Sequence, residues 1–541
     1  MHNEALVLDA DVLVIGGGPA GSWAAWSAAK RGADVILVDK GYCGSSGATA
    51  PSGTGVWIIP PNQDDREKAK AQREALGGYL SDHDWMDRVL DRTWRNMDLV
   101  ESWGYPFPRA DGAAVRRGLQ GPEYMKLMRK VARRAGVEIL DHSPALELLV
   151  DRDGAVAGAR GVQRQEDRPW TVRAGAVVIA TGGCAFLSKA LGCNNNTGDG
   201  YLFAAEAGGE LSGMEFSSQF AVSTAFGSVT KTAHYSWAVF TNEAGDDLNA
   251  VKDGHYSAST IGRALLNGPV YAQLSKARER PEVQAFLRYA QPNFFLPLDR
   301  SGINPFTQRF PVTLTLEGTV RGTGGIRITD STCASTVPGL FAAGDAATRE
   351  LICGGFTGGG SHNAAWAMSS GSWAGEGAAE HALALGASAV TRDVSGAGFA
   401  GLHDNRASAS VSDPDADAVI AGVQNEMLPL DKNLFRTERG LRASLTELDA
   451  LWASLRGGPA DANARDQQRS REAAALVATA RWAYTSALER RETRGMHRRT
   501  DFPELDPQQR HYQITGGLDR VWLRTAAHAQ PVETRPLAIA Q

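Results

Sequence analysis

An α/β fold with a parallel sheet is predicted by three features of the sequence. Residues 11–15, Asp-Val-Leu-Val-Ile, form an apolar strand that runs through Gly16-Gly17-Gly18-Pro19-Ala20-Gly21 into an alanine-rich helix ending near Arg31. A second apolar strand follows at residues 34–39, completing a βαβ unit. Far downstream, Val-Val-Ile-Ala at 177–180 and Leu-Phe-Ala-Ala at 340–343 repeat the buried-strand pattern, and each runs into glycine. The sheet is therefore Rossmann-like and gathers strands from distant parts of the chain. At 541 residues the chain is too long for one ordinary core, so two or three structural regions are expected.

The βαβ unit carries its own chemistry. Gly16 permits a tight turn, Gly18 lets backbone N–H groups approach a pyrophosphate, and Gly21 allows helix and strand to pack closely. The anion would sit on the helix N-terminus, beside Pro19 and Ala20, where unpaired N–H groups and the helix dipole favour it. Asp39 ends the second strand, where a carboxylate takes a ribose hydroxyl pair. The distant strands favour FAD over NAD, because a flavin's ribityl chain lies along the sheet and needs a hydroxyl partner there. Asp345, in Gly344-Asp345, is the candidate, with a helix N-cap as the alternative reading.

Composition narrows the partners. The net charge of −5 offers no basic footprint, so nucleic acid is not expected. The five cysteines show no CxxC spacing and predict reduced thiols, with no metal or iron–sulfur cluster held by the chain itself. Glu4, Asp9 and Asp11 stand where a signal peptide would be basic, and no run of 18 apolar residues occurs; a cytoplasmic protein without a transmembrane segment is expected. A homo-oligomer is compatible with the sequence, which does not specify one.

These strands, the glycine-rich run before Asn363, residues 209–220 and residues 485–503 resemble the succinate dehydrogenase and fumarate reductase flavoprotein superfamily. The last segment, which includes Arg494-Gly495-Met496-His497-Arg498-Arg499-Thr500-Asp501-Phe502-Pro503, is similar to that family's long C-terminal motif. The resemblance implies a FAD domain split over residues 1–205 and 320–400, an α+β capping domain at 206–319, and a C-terminal helical bundle at 405–541. Helical periodicity over residues 420–495 agrees with the last. The FAD-contacting set expected on both grounds is Gly16, Gly18, Pro19, Ala20, Gly21, Asp39, Lys40, Ser46, Gly47, Ala48, Ala145, Ala180, Thr181, Gly182, Gly183, Asp199, Gly344, Asp345, Ser361, His362 and Asn363.

Departures from the family pattern shape the functional expectation. Members that attach FAD covalently have a histidine in the segment matching residues 45–49; here it reads Ser-Ser-Gly-Ala-Thr, so a non-covalent flavin is expected. The family's substrate histidines fall on Ala221 and around Val320 and Arg321, its substrate arginine falls near Gly359, and its proton-donating arginine falls near Ala258, with Arg263 one turn on. A dicarboxylate needs cationic or charge-assisted donors at both ends, so succinate and fumarate are disfavoured as substrates. The stretches 45–48 and 369–372 are similar to the adenylylsulfate reductase α subunit, which would require an iron–sulfur or ferredoxin-like partner. A third reading is an electron-transfer flavoprotein with little substrate chemistry.

The first reading is a FAD-dependent oxidoreductase for a small anionic molecule. A flavin carries the hard step itself, so the chain need only hold substrate and place a proton donor or acceptor. The candidates are Arg321, His362, His234, Tyr235 and Arg263. Arg321 would clamp an anion or face a carboxylate or solvent; His362 would touch the flavin or cap the helix that follows it. The Arg494–Arg499 cluster would dock the C-terminal region or touch substrate. Trp23, Trp26, Trp366 and Trp373 have the spacing of core packing.

Overall fold

The computed structural model describes residues 4–230, 233–252, 255–356, 360–402, 415–455 and 462–527. Its largest sheet runs Ser395–Gly396, Ala145–Val150, Val156–Gln163, Arg168–Ile179, Leu6–Ile15, Val35–Val38, Glu138–Leu140, with Leu340–Ala342 also paired to Arg168–Ile179. Five of these strands are mutually parallel: Leu340–Ala342, Arg168–Ile179, Leu6–Ile15, Val35–Val38 and Glu138–Leu140. A parallel sheet is covered on both faces, which is why Val35–Val38 is apolar and buried at every position. The first strand begins earlier than the apolar run suggests. Its leading half, from Leu6, alternates between half-buried and exposed positions while pairing with residues 170–174.

The Arg168–Ile179 strand does two jobs. Its first half pairs antiparallel with Val156–Gln163, and its last three residues pair in parallel with Leu340–Ala342. That change of partner brings the 340s beside the Gly16 turn, at the carboxyl ends of the parallel strands where α/β sheets bind ligands. On one face the helices Pro19–Lys30 and Gly360–Leu385 are in near-backbone contact. A Cβ on Gly371 would lie 2.4 Å from the Ala20 carbonyl oxygen, and one on Gly375 would lie 2.1 Å from that of Ala24. Trp23 and Trp366 are fully buried, with their indole N–H groups donated to the Tyr124 hydroxyl (2.7 Å) and the Gly344 carbonyl (3.0 Å).

A separate antiparallel sheet forms the α+β cap, in the order Gln219–Thr224, Phe310–Glu317, Val270–Gln273, Val239–Thr241. Phe310–Glu317 alternates inward and outward positions, and Phe294, Phe295, Phe306 and Phe310 fill the space beneath the helices Pro281–Ala290 and Pro292–Arg300. The C-terminal region packs the helices Ala416–Met427, Glu438–Ser454 and Ala464–Glu489. The last is buried along most of its length because it lies against both the bundle and the main sheet: Arg471 donates to the Leu146 carbonyl and pairs with Glu206. A hairpin, His511–Gly516 with Trp522–Ala527, then adds to Leu211–Ser212 and Gly325–Ile326, so this region is not helical throughout. Among the described residues, no helix is long and apolar enough to cross a membrane, and no cluster of metal-ligating side chains occurs.

Candidate active site

One cavity of about 1690 Å³ runs from the Gly16–Gly18 turn along the sheet ends to the cap and the C-terminal region. That exceeds the ~300–1,000 Å³ of a pocket for one small ligand, so it has room for a dinucleotide and a second molecule. Its floor is built by glycine. Gly16 holds φ +108, and a Cβ there would meet the Ala180 carbonyl oxygen at 2.4 Å; a Cβ on Gly21 would lie 1.8 Å from the Gly16 oxygen. Gly18, by contrast, has nothing within 4 Å of its missing Cβ and opens onto the cavity. The helix that follows begins with Pro19 and has no side-chain cap, which leaves its first N–H groups directed at the same space.

Asp39 stands on the wall at the end of its strand, held by three donors: Gly17 N–H (2.5 Å), Gly41 N–H (2.7 Å) and the Ser46 hydroxyl (2.8 Å). Gly47, Ala48, Ala145, Ala180, Thr181, Gly182, Gly344 and Asp345 line the same cavity. Lys40 and Asp199 also line it, but their charges face each other at 2.7 Å, and Lys40 reaches Glu472 at 3.0 Å. Burial works against the Lys40 charge, yet Asp199 and Glu472 outweigh it and hold the ammonium above its ordinary pKa. This cluster ties the helix Ala464–Glu489 to the rim of the cavity. Asp345 pairs with Arg349, whose guanidinium also donates to the carbonyls of Thr319 and Val320. Gly183 and Gly21 lie behind the wall; a Cβ on Gly183 would meet the Thr319 hydroxyl at 2.6 Å.

At the cap end, Arg321 and Asn363 line the cavity. Arg321 ends a short helix and pairs with the fully buried Glu317 at 3.3 Å; burial opposes its charge most strongly, but Glu317, Tyr256, Cys193 and Asp345 together outweigh burial and keep the guanidinium protonated. Tyr256 faces the same space, and burial raises its pKa, so it remains a phenol that can donate a hydrogen bond. Asn363 donates to the Val320 carbonyl at 3.1 Å, while its buried side-chain oxygen has no partner among the described residues; the same holds for the Asn196 side-chain oxygen.

Four of the five catalytic candidates lie off this wall, as does Ser361. His234 and Tyr235 sit in a 3-10 turn inside the cap core, with His234 packed against Phe294 and Phe295 at ring separations of 5.1 and 5.5 Å. Burial depresses the His234 pKa to about 4. His362 lies against the Trp57 ring at 4.6 Å, and burial holds it neutral, well below its ordinary value; Ser361 is its neighbour in the same packing. Arg263 is exposed, with its guanidinium 5.8 Å from the Phe435 ring. Of the family positions, Ala221 is buried in the cap sheet, Val320 and Ala258 are on the cavity wall, and Gly359 lies outside the described residues.

Two family models match this chain: an FAD binding domain over residues 11–364 and a fumarate reductase flavoprotein C-terminal region over residues 425–540. The chain belongs to the succinate dehydrogenase and fumarate reductase flavoprotein superfamily. It is 26% identical to the fumarate reductase flavoprotein subunit of Mycobacterium tuberculosis, covering 92% of both chains, and 27% identical to the L-aspartate oxidase of that organism, covering 94% of this chain and 96% of the relative. Among solved structures it superposes on a quinol fumarate reductase variant of E. coli with a TM-score of 0.78 at 21% identity, covering 99% of each chain. The adenylylsulfate reductase of Archaeoglobus fulgidus gives 0.77 at 19%, covering 98% of each chain. This flavoprotein is an FAD-dependent oxidoreductase, and its wall fits FAD on independent grounds. The glycine turn leaves donors for a pyrophosphate, and the oxygens of Asn196 and Asn363, unpartnered among the described residues, are acceptors for a donor.

Sequence reading missed several wall residues of the flavoprotein. Tyr105, Gln120 and Tyr124 come from the segment between the second and third parallel strands, and Phe286, Tyr289, Leu434 and Arg498 come from the cap and C-terminal regions. Only Arg498 had a local signal, an extra arginine beside the motif's own Arg499. The motif is otherwise a clamp: Arg490 pairs with Glu215 and Glu492, Arg494 with Glu492, and His497 accepts from Arg436 while donating to the Arg490 carbonyl.

Proposed function

We propose that this flavoprotein oxidises or reduces a small anionic substrate in the chamber between the FAD-holding wall and the cap, and that its substrate is neither succinate nor fumarate. The observation that carries the reading is the continuity of one cavity from the Gly16–Gly18 turn to Arg321, Tyr256 and Asn363. Bound FAD would supply two-electron transfer there. The pyrophosphate would rest on the N–H groups after Gly18, a ribose on Asp39, and the ribityl chain beside Asp345. Arg321, paired with Glu317, borders the substrate at the cap end; Tyr256 donates a hydrogen bond. Ala221 and Ala258, where the family has titratable side chains, bring no donor or acceptor, which supports the exclusion of C4 dicarboxylates.

The flavin is read as non-covalent, and five free, buried cysteines support a reducing compartment such as the cytoplasm. An iron–sulfur or ferredoxin-like partner remains a second reading, since the chain has no cluster motif of its own. Of its two sequence bases, residues 45–48 and 369–372, the second has a packing explanation: Gly371 admits the Ala20 carbonyl, and Ser370 accepts the Gly344 N–H at 2.9 Å. The test is anaerobic titration of the purified protein with candidate anions. Bleaching of the flavin by a small anion other than succinate supports the proposal; bleaching by succinate alone, or only by an iron–sulfur protein, contradicts it.

A further inference from the structure

Substrate must lie where the cavity leaves the FAD-holding wall, and there the wall is made by the cap and the C-terminal region. Among the described residues, that part of the wall has no carboxylate, and its guanidinium groups are Arg498 and, at the cap end, Arg321. The Arg498 side chain makes no ion pair or hydrogen bond among the described residues, and both burial and the guanidinium of Arg263 act against its charge. Five N–H donors on a partly buried cation call for an anion. The other guanidinium on the cavity wall, Arg321, is already neutralised by Glu317. Among the described residues, Arg498 is therefore the chamber's cation without a counter-ion.

Beside the polar Gln219, His255 and Gln291, several large apolar or aromatic side chains stand around the chamber. Phe220, Leu434 and Met496 are buried, while Phe286 and Tyr289, one turn apart on the helix Pro281–Ala290, stand 65% and 85% exposed at the cavity's edge. An exposed aromatic pair on the rim of a cavity is a surface that an apolar ligand would cover. A short dicarboxylate uses neither feature: it needs two seats for charge and has no body to set against these rings.

We infer that Arg498 seats the single anionic group of a substrate whose body is apolar, a monocarboxylate bulkier than any short diacid. The assignment rests on the chamber being the substrate site, and it names the substrate class.

The test uses FAD-loaded protein, with 2-naphthoate and decanoate as probes, 2-naphthamide as the uncharged control and succinate as the diacid control, read by calorimetry and by perturbation of the flavin spectrum. One or both monoanions bind more tightly than succinate and than 2-naphthamide. R498Q weakens the monoanion about tenfold or more while leaving 2-naphthamide unchanged. R498K, which keeps the charge, recovers part of the loss, and equal FAD content in all three proteins shows that the fold is intact. Succinate binding more tightly than both monoanions, or R498Q binding them as wild type does, overturns the inference. Protein that takes up no FAD overturns instead the reading on which it rests.

Discussion

Arg321 and Glu317 show how a single residue's role depends on its partner. The pair is buried on the carboxylate side, so removing the cation alone leaves an uncompensated charge in the core. R321Q is expected to destabilise the protein by about 3–5 kcal/mol, and the double variant R321Q/E317Q to recover most of that in denaturant unfolding, because both charges are then gone. Recovery of stability without recovery of anion binding would separate the clamp from the scaffold; full recovery of binding would contradict a substrate role for Arg321. Asp39 makes a second residue-scale case. D39A leaves the Gly17 and Gly41 N–H groups without their acceptor, at about 1–3 kcal/mol each, and removes the proposed ribose contact. A raised dissociation constant for FAD, measured by reconstitution of apoprotein, checks this.

At the scale of elements, the close pair of helices Pro19–Lys30 and Gly360–Leu385 fixes the distance between the pyrophosphate turn and Asn363. The Gly375 position sits against a backbone carbonyl that no rotamer change can move. G375V is therefore expected to cost about 1–3 kcal/mol or more through overpacking and to lower FAD occupancy, seen as an earlier denaturation midpoint and a paler protein. Unchanged midpoint and colour would mean the helices tolerate separation. The elements that were legible in sequence are those whose signal is local: the glycine turn, the buried strand at 35–38 and the helix after Pro19 each declare themselves within a dozen residues. The hairpin at 511–527 was not, because its partner strand Leu211–Ser212 lies far away in the chain and nothing in its own pattern names it. His234 and Tyr235 illustrate the same limit, since a titratable pair on a short turn reads alike whether it faces a cavity or a core of phenylalanines. Arg498 stood in plain view within a recognised motif, but its lack of a counter-ion is a property of the folded neighbourhood.

Across the whole molecule, the junction of main sheet, cap and C-terminal region contains an unbalanced buried acid. Glu215, Arg490, Glu492 and Arg494 form pairs of opposite charge, whereas Glu350 accepts from the Ser212 hydroxyl and forms no ion pair among the described residues. Burial, reinforced by Glu215, raises the Glu350 pKa from 4.5 to about 8. The folded protein thus holds a proton that the unfolded chain releases above pH 4.5. Stability from this group is full below that value and declines as pH rises toward 8, by up to about 1.4 kcal/mol per unit. Melting temperatures at pH 6 and pH 9 are expected to differ for the wild type and to converge in E350Q, which keeps the neutral shape at both; an equal fall in E350Q would assign the pH dependence elsewhere.

The binding roles assigned to the long cavity presuppose a dissociable flavin there. The most direct test is the visible spectrum of the purified protein before and after acid precipitation. A yellow protein that releases FAD into the supernatant, about one per chain, is the predicted result. A colourless protein that cannot be reconstituted with FAD, or a flavin that stays with the pellet, would contradict the account.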